Sequence, residues 1–250
     1  MIQMQRVKPM KLCQLESLHR RLDKSHPKQL PVEKALSSHA AGYRGEQAID
    51  YHLTFVRPSH MIFHGLRLQD SSSYFQIDTL LVTPSFILII EVKNIAGTLD
   101  FDPERFQMVR HLNGVAEGFS DPRLQVTRHY LQLERWLRYQ KLPVPPIYRV
   151  VAISFPNTII HAPSSSFGKV IHAAQLPYDI IDLEKKHPAP LMSAADMDNI
   201  ASRLNRHHRP LNPDILTFFE MEPKDIKNGV ICSACGAMPM QWQAGWKCEH

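Results

Sequence analysis

The sequence predicts a mixed α/β fold in the order α-β-β-β-α-β, a mixed sheet flanked by helices, followed by a small cysteine-bearing segment. Three observations carry this reading. Two apolar runs, 74–82 and 86–93, lie either side of Thr83-Pro84-Ser85 and read as a β-hairpin. Two stripes spaced by three and four residues read as helices before and after it. They are Gly42, Glu46, Ile49, Leu53 and Val56, then Val126, Tyr130, Leu133 and Leu137. Finally, Ile147–Phe155 is β-rich and apolar, as a strand buried on both faces would be.

Residues 1–36 read as a basic helical extension, with Leu15, Leu18 and Leu22 spaced for a short amphipathic helix. Pro27 and Pro31 separate it from the next helix. Residues 37–160 form the core. Its first helix runs from about Ser38 to Phe55 and its first strand from about Met61 to Leu68. Ser71-Ser72-Ser73 marks the loop into the hairpin. Beyond Lys93, Gly97, Asp102-Pro103 and Asn113-Gly114 punctuate another short strand pair. Asp121-Pro122 reads as an N-cap followed by proline at the first helical position. That helix ends near Gln140, before Pro143, Pro145 and Pro146. Residues 161–225 read as an α/β extension. Strand pieces are expected at Thr158–His161 and Lys169–His172, and Ser193 with Asp196 forms a capping box for a further helix. Its basic end, Arg206-His207-His208-Arg209, suits the helix dipole and also offers cations to phosphate. Residues 226–250 form the cysteine-bearing tail.

Composition narrows the function. The chain has 250 residues, 44% hydrophobic and 21% charged, and so reads as globular rather than disordered. A net charge of +5 favours an anionic partner such as nucleic acid. No stretch approaches the roughly 18 apolar residues of a membrane span, and no apolar signal region follows the basic N-terminus. There is no Gly-rich phosphate loop and no G-x-S-x-G nucleophile elbow, which argues against P-loop hydrolysis and acyl transfer. His39, His52, His60, His64, His111, His129, His161 and His172 lack metal-ligand spacing and read as surface or packing residues.

The hairpin carries chemistry. Residues i and i+2 share a face, so Glu91 and Lys93 point the same way. With Pro84-Ser85 as a two-residue loop, Asp78 faces Glu91 and Gln76 faces Lys93. Opposed carboxylates lie roughly 5 Å apart at Cβ and repel. A hard divalent cation with oxygen ligands, Mg²⁺ or Mn²⁺, would relieve this, and Lys93 beside it would hold a phosphate or polarise a water. The alternative is an edge hairpin whose charges reach solvent. Glu46 lies on the core-facing stripe of its helix and needs a partner, a metal, or a place at the stripe's border.

Asp78 followed, after twelve residues, by Glu91-x-Lys93 resembles the D…(D/E)-x-K signature of the restriction-endonuclease-like PD-(D/E)xK superfamily. More narrowly, Gly42-Tyr43-Arg44-Gly45-Glu46, Gln76-Ile77-Asp78, Ile90-Glu91-Val92-Lys93-Asn94 and Gly97 resemble the NERD (nuclease-related) domain over about residues 38–155. Asp121-Pro122-Arg123-Leu124-Gln125 is similar to its later Pro-x-x-Gln element, with Asp where Asn is usual. The resemblance implies a restriction-endonuclease-like core and metal-dependent phosphodiester hydrolysis. In that mechanism Asp78 and Glu91 hold Mg²⁺ or Mn²⁺, and Glu46 is a further ligand or holds a metal-bound water. Lys93 positions the attacking water or stabilises phosphate charge, and Gln125 orients substrate. The resemblance also allows a homodimer, although no helix reads as a dimer interface.

The tail adds a second metal expectation. Cys232-x-x-Cys235 with Cys248 after twelve residues resembles three quarters of a zinc ribbon, so Zn²⁺ is the expected ion. A second knuckle would place its fourth ligand one position past His250. Either His250 substitutes, or that ligand lies beyond this sequence, or the site is incomplete. Three free surface thiols are the alternative. Clustered cysteines of this kind suit a reducing, cytoplasmic setting. The sequence therefore reads as a metal-dependent nuclease acting on nucleic acid, DNA favoured, in DNA processing or repair. The competing reading is a non-catalytic nucleic-acid-binding module using the same fold and the zinc tail.

Overall fold

The computed structural model describes residues 2–57, 59–70, 73–163 and 168–248. The chain divides into two compact units, Met1–Val7 with Gly42–Pro210, and Lys8–Ala41 with Leu211–His250.

The first unit is built on a six-stranded mixed sheet. Its strands are β1 (Ile2–Met4), β2 (Met61–Gln69), β3 (Tyr74–Val82), β4 (Ile87–Lys93), β8 (Ile147–Ile153) and β10 (Lys169–His172), in the order β1-β2-β3-β4-β8-β10. β2, β3 and β4 pair antiparallel, while β1, β8 and β10 join in parallel. A second sheet has the order β7-β6-β5-β9, from β5 (Thr98–Asp102), β6 (Gln107–Leu112), β7 (Val115–Ser120) and β9 (Ile159–His161).

Helices cover both faces of the larger sheet, so its central strands are apolar throughout. On β4, Ile87 and Ile89 pack with Val126, Leu133 and Trp136 of α3 (Pro122–Tyr139) and with Met197, Ile200 and Leu204 of α5 (Ala194–His207). The alternate residues Leu88, Ile90 and Val92 pack with Ile49 and Leu53 of α2 (Gln29–Leu53) and with Leu176 and Ile180 of α4 (Leu176–Lys186). The pleat therefore sends Glu91 and Lys93 to the α3 face. This mixed sheet flanked by helices is the α-β-β-β-α-β arrangement expected.

The hairpin register follows the expectation as far as it runs: Thr79 pairs with Ile90, Leu80 with Ile89, Leu81 with Leu88 and Val82 with Ile87. The ladder stops one pair short of Asp78 and Glu91. At this level both β2 and β3 change phase. Phe63 but then Leu66 and Leu68 face α3, and so do Phe75 and Ile77 but then Leu80 and Val82. Gly65, with φ of +60°, absorbs the irregularity in β2. The slip re-aims Asp78, which a strict two-residue period cannot show.

Other elements differ from the sequence reading. α2 starts at Gln29 rather than near Ser38. Pro31 sits in its first turn, where no intrahelical N–H is owed, and so does not separate the helices. Residues 2–4, read as part of a helical extension, form a strand on the main sheet. The capping box of Ser193 with Asp196 and the N-cap of Asp121 with Pro122 form as expected.

The second unit contains α1 (Met10–Arg21), the start of α2, the short α6 (Ile215–Phe218) and a hairpin of β11 (Gln241–Trp242) and β12 (Trp246–Lys247). Leu15, Leu18, Leu22, Val32, Phe219 and Met221 form its small core. Among the described residues, no helix is long and apolar enough to cross a membrane.

Candidate catalytic site and cysteine cluster

β4 carries two of the five candidate residues into the first unit. Glu91 is buried, with its side chain 2% exposed, and its Oε1 accepts a hydrogen bond from Lys93 Nζ at 2.7 Å. Lys93 also donates to Gln125 Oε1 at 3.1 Å. Gln125 lies in the first turns of α3, whose N-terminus is fixed by the Asp121 cap and by a buried Asp121–Arg123 ion pair of 2.7 Å. Lys93 and Gln125, with Arg128, line a cavity of about 460 Å³ opening beside them.

Asp78 does not meet Glu91 as an opposed ladder pair. Its Oδ2 instead accepts the Val92 backbone N–H at 2.8 Å, so the carboxylate replaces the missing ladder acceptor and sits next to Glu91. Glu46 arrives from α2. Gly45 makes this approach possible: a Cβ there would lie 2.4 Å from Asn94 Cβ and 2.8 Å from Ser154 Oγ. Among the described residues the three carboxylates do not close into one tight cluster with ligand atoms all within 4.8 Å of one another.

Glu46 is held by a residue that the sequence did not flag. Arg6, six residues into the chain, donates to Glu46 Oε2 at 2.8 Å, to both oxygens of Asp50, and to Thr79 Oγ1 at 3.0 Å. Its Nη2 also lies 2.8 Å from Nδ1 of the buried His64. No local pattern announces Arg6, because all these partners are at least 40 residues away. His129, read from sequence as a surface or packing residue, is also buried here, with Nδ1 3.6 Å from Glu91 Oε2. It lies four residues after Gln125, one helical turn along the same face, and that spacing was a usable signal.

Burial dominates the electrostatics. It pushes Glu91 up to about 8, helped by the negative charge of Asp78 and opposed by Lys93. It pushes Glu46 up to about 7, with Asp78 adding and Arg6 opposing. Asp78 is also raised, by burial first, against the Val92 N–H and the charges of Lys93 and Arg6. Burial lowers His129 to about 4, with Arg128 and Lys93 adding to it. Glu91 Oε2, meanwhile, is buried without a hydrogen-bond partner. A buried carboxylate oxygen with no donor, beside two further acidic groups, is short of positive charge. These residues fit a divalent cation by the chemistry of their donors.

In the second unit, Cys232, Cys235 and Cys248 bring their sulfurs within 4.8 Å of one another, and Cys235 and Cys248 lie 3.2 Å apart. Backbone N–H groups of Cys235 and Ala234 lower the Cys232 thiol to about 7, favouring the thiolate that binds zinc. Three thiols in this arrangement suit a metal such as zinc and form a small zinc-ribbon-like tail. His250 lies outside the described residues, and Cys13 is not part of the cluster.

Residues 41–154 match the family model described as the nuclease-related domain, NERD. No curated protein matches the chain.

Proposed function

We propose that the nuclease-related domain carried by residues 41–154 is a metal-dependent nuclease that hydrolyses phosphodiester bonds, with DNA as the favoured substrate and DNA processing or repair as the setting. The observation that supports this most is the buried, donorless Glu91 Oε2 in a site shared with Asp78, Lys93 and Gln125.

Asp78 and Glu91 would hold Mg²⁺ or Mn²⁺, with Glu46 near enough to add its charge. A bound ion supplies charge compensation for the scissile phosphate and an acidified water. Lys93 is half-buried at the rim of the cavity, where its ammonium meets a phosphate oxygen and stabilises the charge that develops there. Gln125 holds the Lys93 ammonium on its other side and fixes its direction. Arg6 keeps the Glu46 carboxylate from swinging free. Arg128 on the cavity wall offers a second cation to the substrate backbone. We assign the cysteine cluster a structural Zn²⁺.

Incubating a labelled panel of single- and double-stranded DNA and RNA with Mg²⁺, Mn²⁺ or EDTA tests this. Cleavage that needs a divalent ion is expected. Salt-sensitive binding that persists in EDTA, with no cleavage of any substrate, would instead make the chain a nucleic-acid-binding module.

A further inference from the structure

Gln125 and His129 stand one turn apart on α3 and both reach the end of β4. Gln125 meets Lys93 and explains itself by a hydrogen bond. His129 does not. Its Nδ1 is buried, has no hydrogen-bond partner, and faces the equally partnerless Glu91 Oε2 at 3.6 Å. If Nδ1 carried a proton it would close on that carboxylate. With the proton on Nε2, the Nδ1 lone pair faces Glu91 Oε2, and the contact is relieved either by a proton on the Glu91 carboxyl or by a cation between the two atoms. Two donors each about 2.1 Å from one ion stand roughly 3–4 Å apart when they are not opposite each other, which brackets the observed separation. The ring also lies against Phe75, with centroids 6.4 Å apart, so packing alone is the competing explanation.

We propose that His129 Nδ1 joins Glu91 Oε2 in binding the divalent ion, making this a transition-metal site that takes Mn²⁺ in preference to Mg²⁺. The inference rests on the metal-dependent reading above and deepens it. Imidazole nitrogen is a poor ligand for the hard, oxygen-seeking Mg²⁺ and a better one for first-row transition ions. Among the described residues no third acidic, histidine or cysteine ligand atom joins this pair within 4.8 Å. Asp78, which holds the ion with Glu91 in the reading above, has to move toward this pair to reach it, and the positions left over fall to water and to substrate phosphate.

Electron spin-echo spectroscopy of Mn²⁺ bound to the full chain, carrying one equivalent of Zn²⁺ and no excess, reads the contact directly. The expected result is nitrogen modulation that changes pattern when the histidines are ¹⁵N-labelled, a test that needs no mutation. His129→Gln should remove the modulation and lower the preference for Mn²⁺ over Mg²⁺ by about tenfold in competition titrations. If Mn²⁺ binds, and Asp78→Asn weakens it, but no histidine nitrogen is seen or His129→Gln leaves the modulation intact, the assignment of His129 is overturned and the nuclease reading stands. If no Mn²⁺ binds at millimolar concentration, both fall.

Discussion

At the residue scale, the site is defined by carboxyl groups withdrawn from water, Glu91 most of all. Glu91 has a folded value of about 8, raised chiefly by burial, against about 4.3 in an unfolded chain. Between those values the folded, metal-free protein holds a proton that the unfolded chain has released. Its contribution is fully present below about pH 4.3 and is lost as pH rises through 8. The melting temperature of the EDTA-treated protein should therefore fall from pH 5 to pH 8, and Glu91→Gln should flatten that slope. At pH 8 the metal-free variant should exceed the parent in stability, by on the order of a few kcal/mol. A slope unchanged by Glu91→Gln would show that the carboxylate is ionised and otherwise compensated. Asp78, Glu91 and Lys93 were legible in the sequence because charged residues interrupt apolar strands. Arg6 was not, because its partners are distant along the chain, and His129 offered only its place one helical turn past Gln125.

At the element scale, three local features bring the site together: the β4 pleat, the phase slip of β2 and β3 at Gly65 and Asp78, and the close approach of α2 at Gly45. Gly45→Ala should be costly, because its Cβ would meet Asn94 Cβ at 2.4 Å and that is no flexible side-chain tip. Overpacking of this kind costs about 1–3 kcal/mol, to be read from the urea midpoint. The helix shift that relieves it should displace Glu46 and reduce any metal-dependent activity beyond the stability loss. A variant as stable and as active as the parent would remove the reason given for Gly45. The hairpin register was readable from Thr83-Pro84-Ser85, and the α3 start from Asp121-Pro122, since turn and cap chemistry are local. The slip was not readable, because both paired strands share it without a change of register, and Gly65 and Asp78 are simply the one pair left out of the ladder.

At the scale of the whole molecule, each compact unit draws on segments far apart in sequence, Met1–Val7 with Gly42–Pro210 and Lys8–Ala41 with Leu211–His250. A linear pass sees α1 and the cysteine tail as separate decorations, since composition carries no record of which segments meet. The tail has its own prediction. The full chain should bind about one equivalent of Zn²⁺ by metal analysis, and Cys235→Ser should lose it while retaining most cleavage turnover. Turnover that vanishes with the zinc would give the cluster more than a structural part. The nuclease assignment itself is tested most directly by single-turnover cleavage with Asp78→Asn and Lys93→Ala beside the parent, each checked for an unchanged fold. Asparagine keeps an acceptor for the Val92 N–H, so the local fold should survive. The expected result is a loss of about 100-fold or more in each variant, with substrate binding retained. Cleavage at the parental rate by either variant would contradict the assignment of this site.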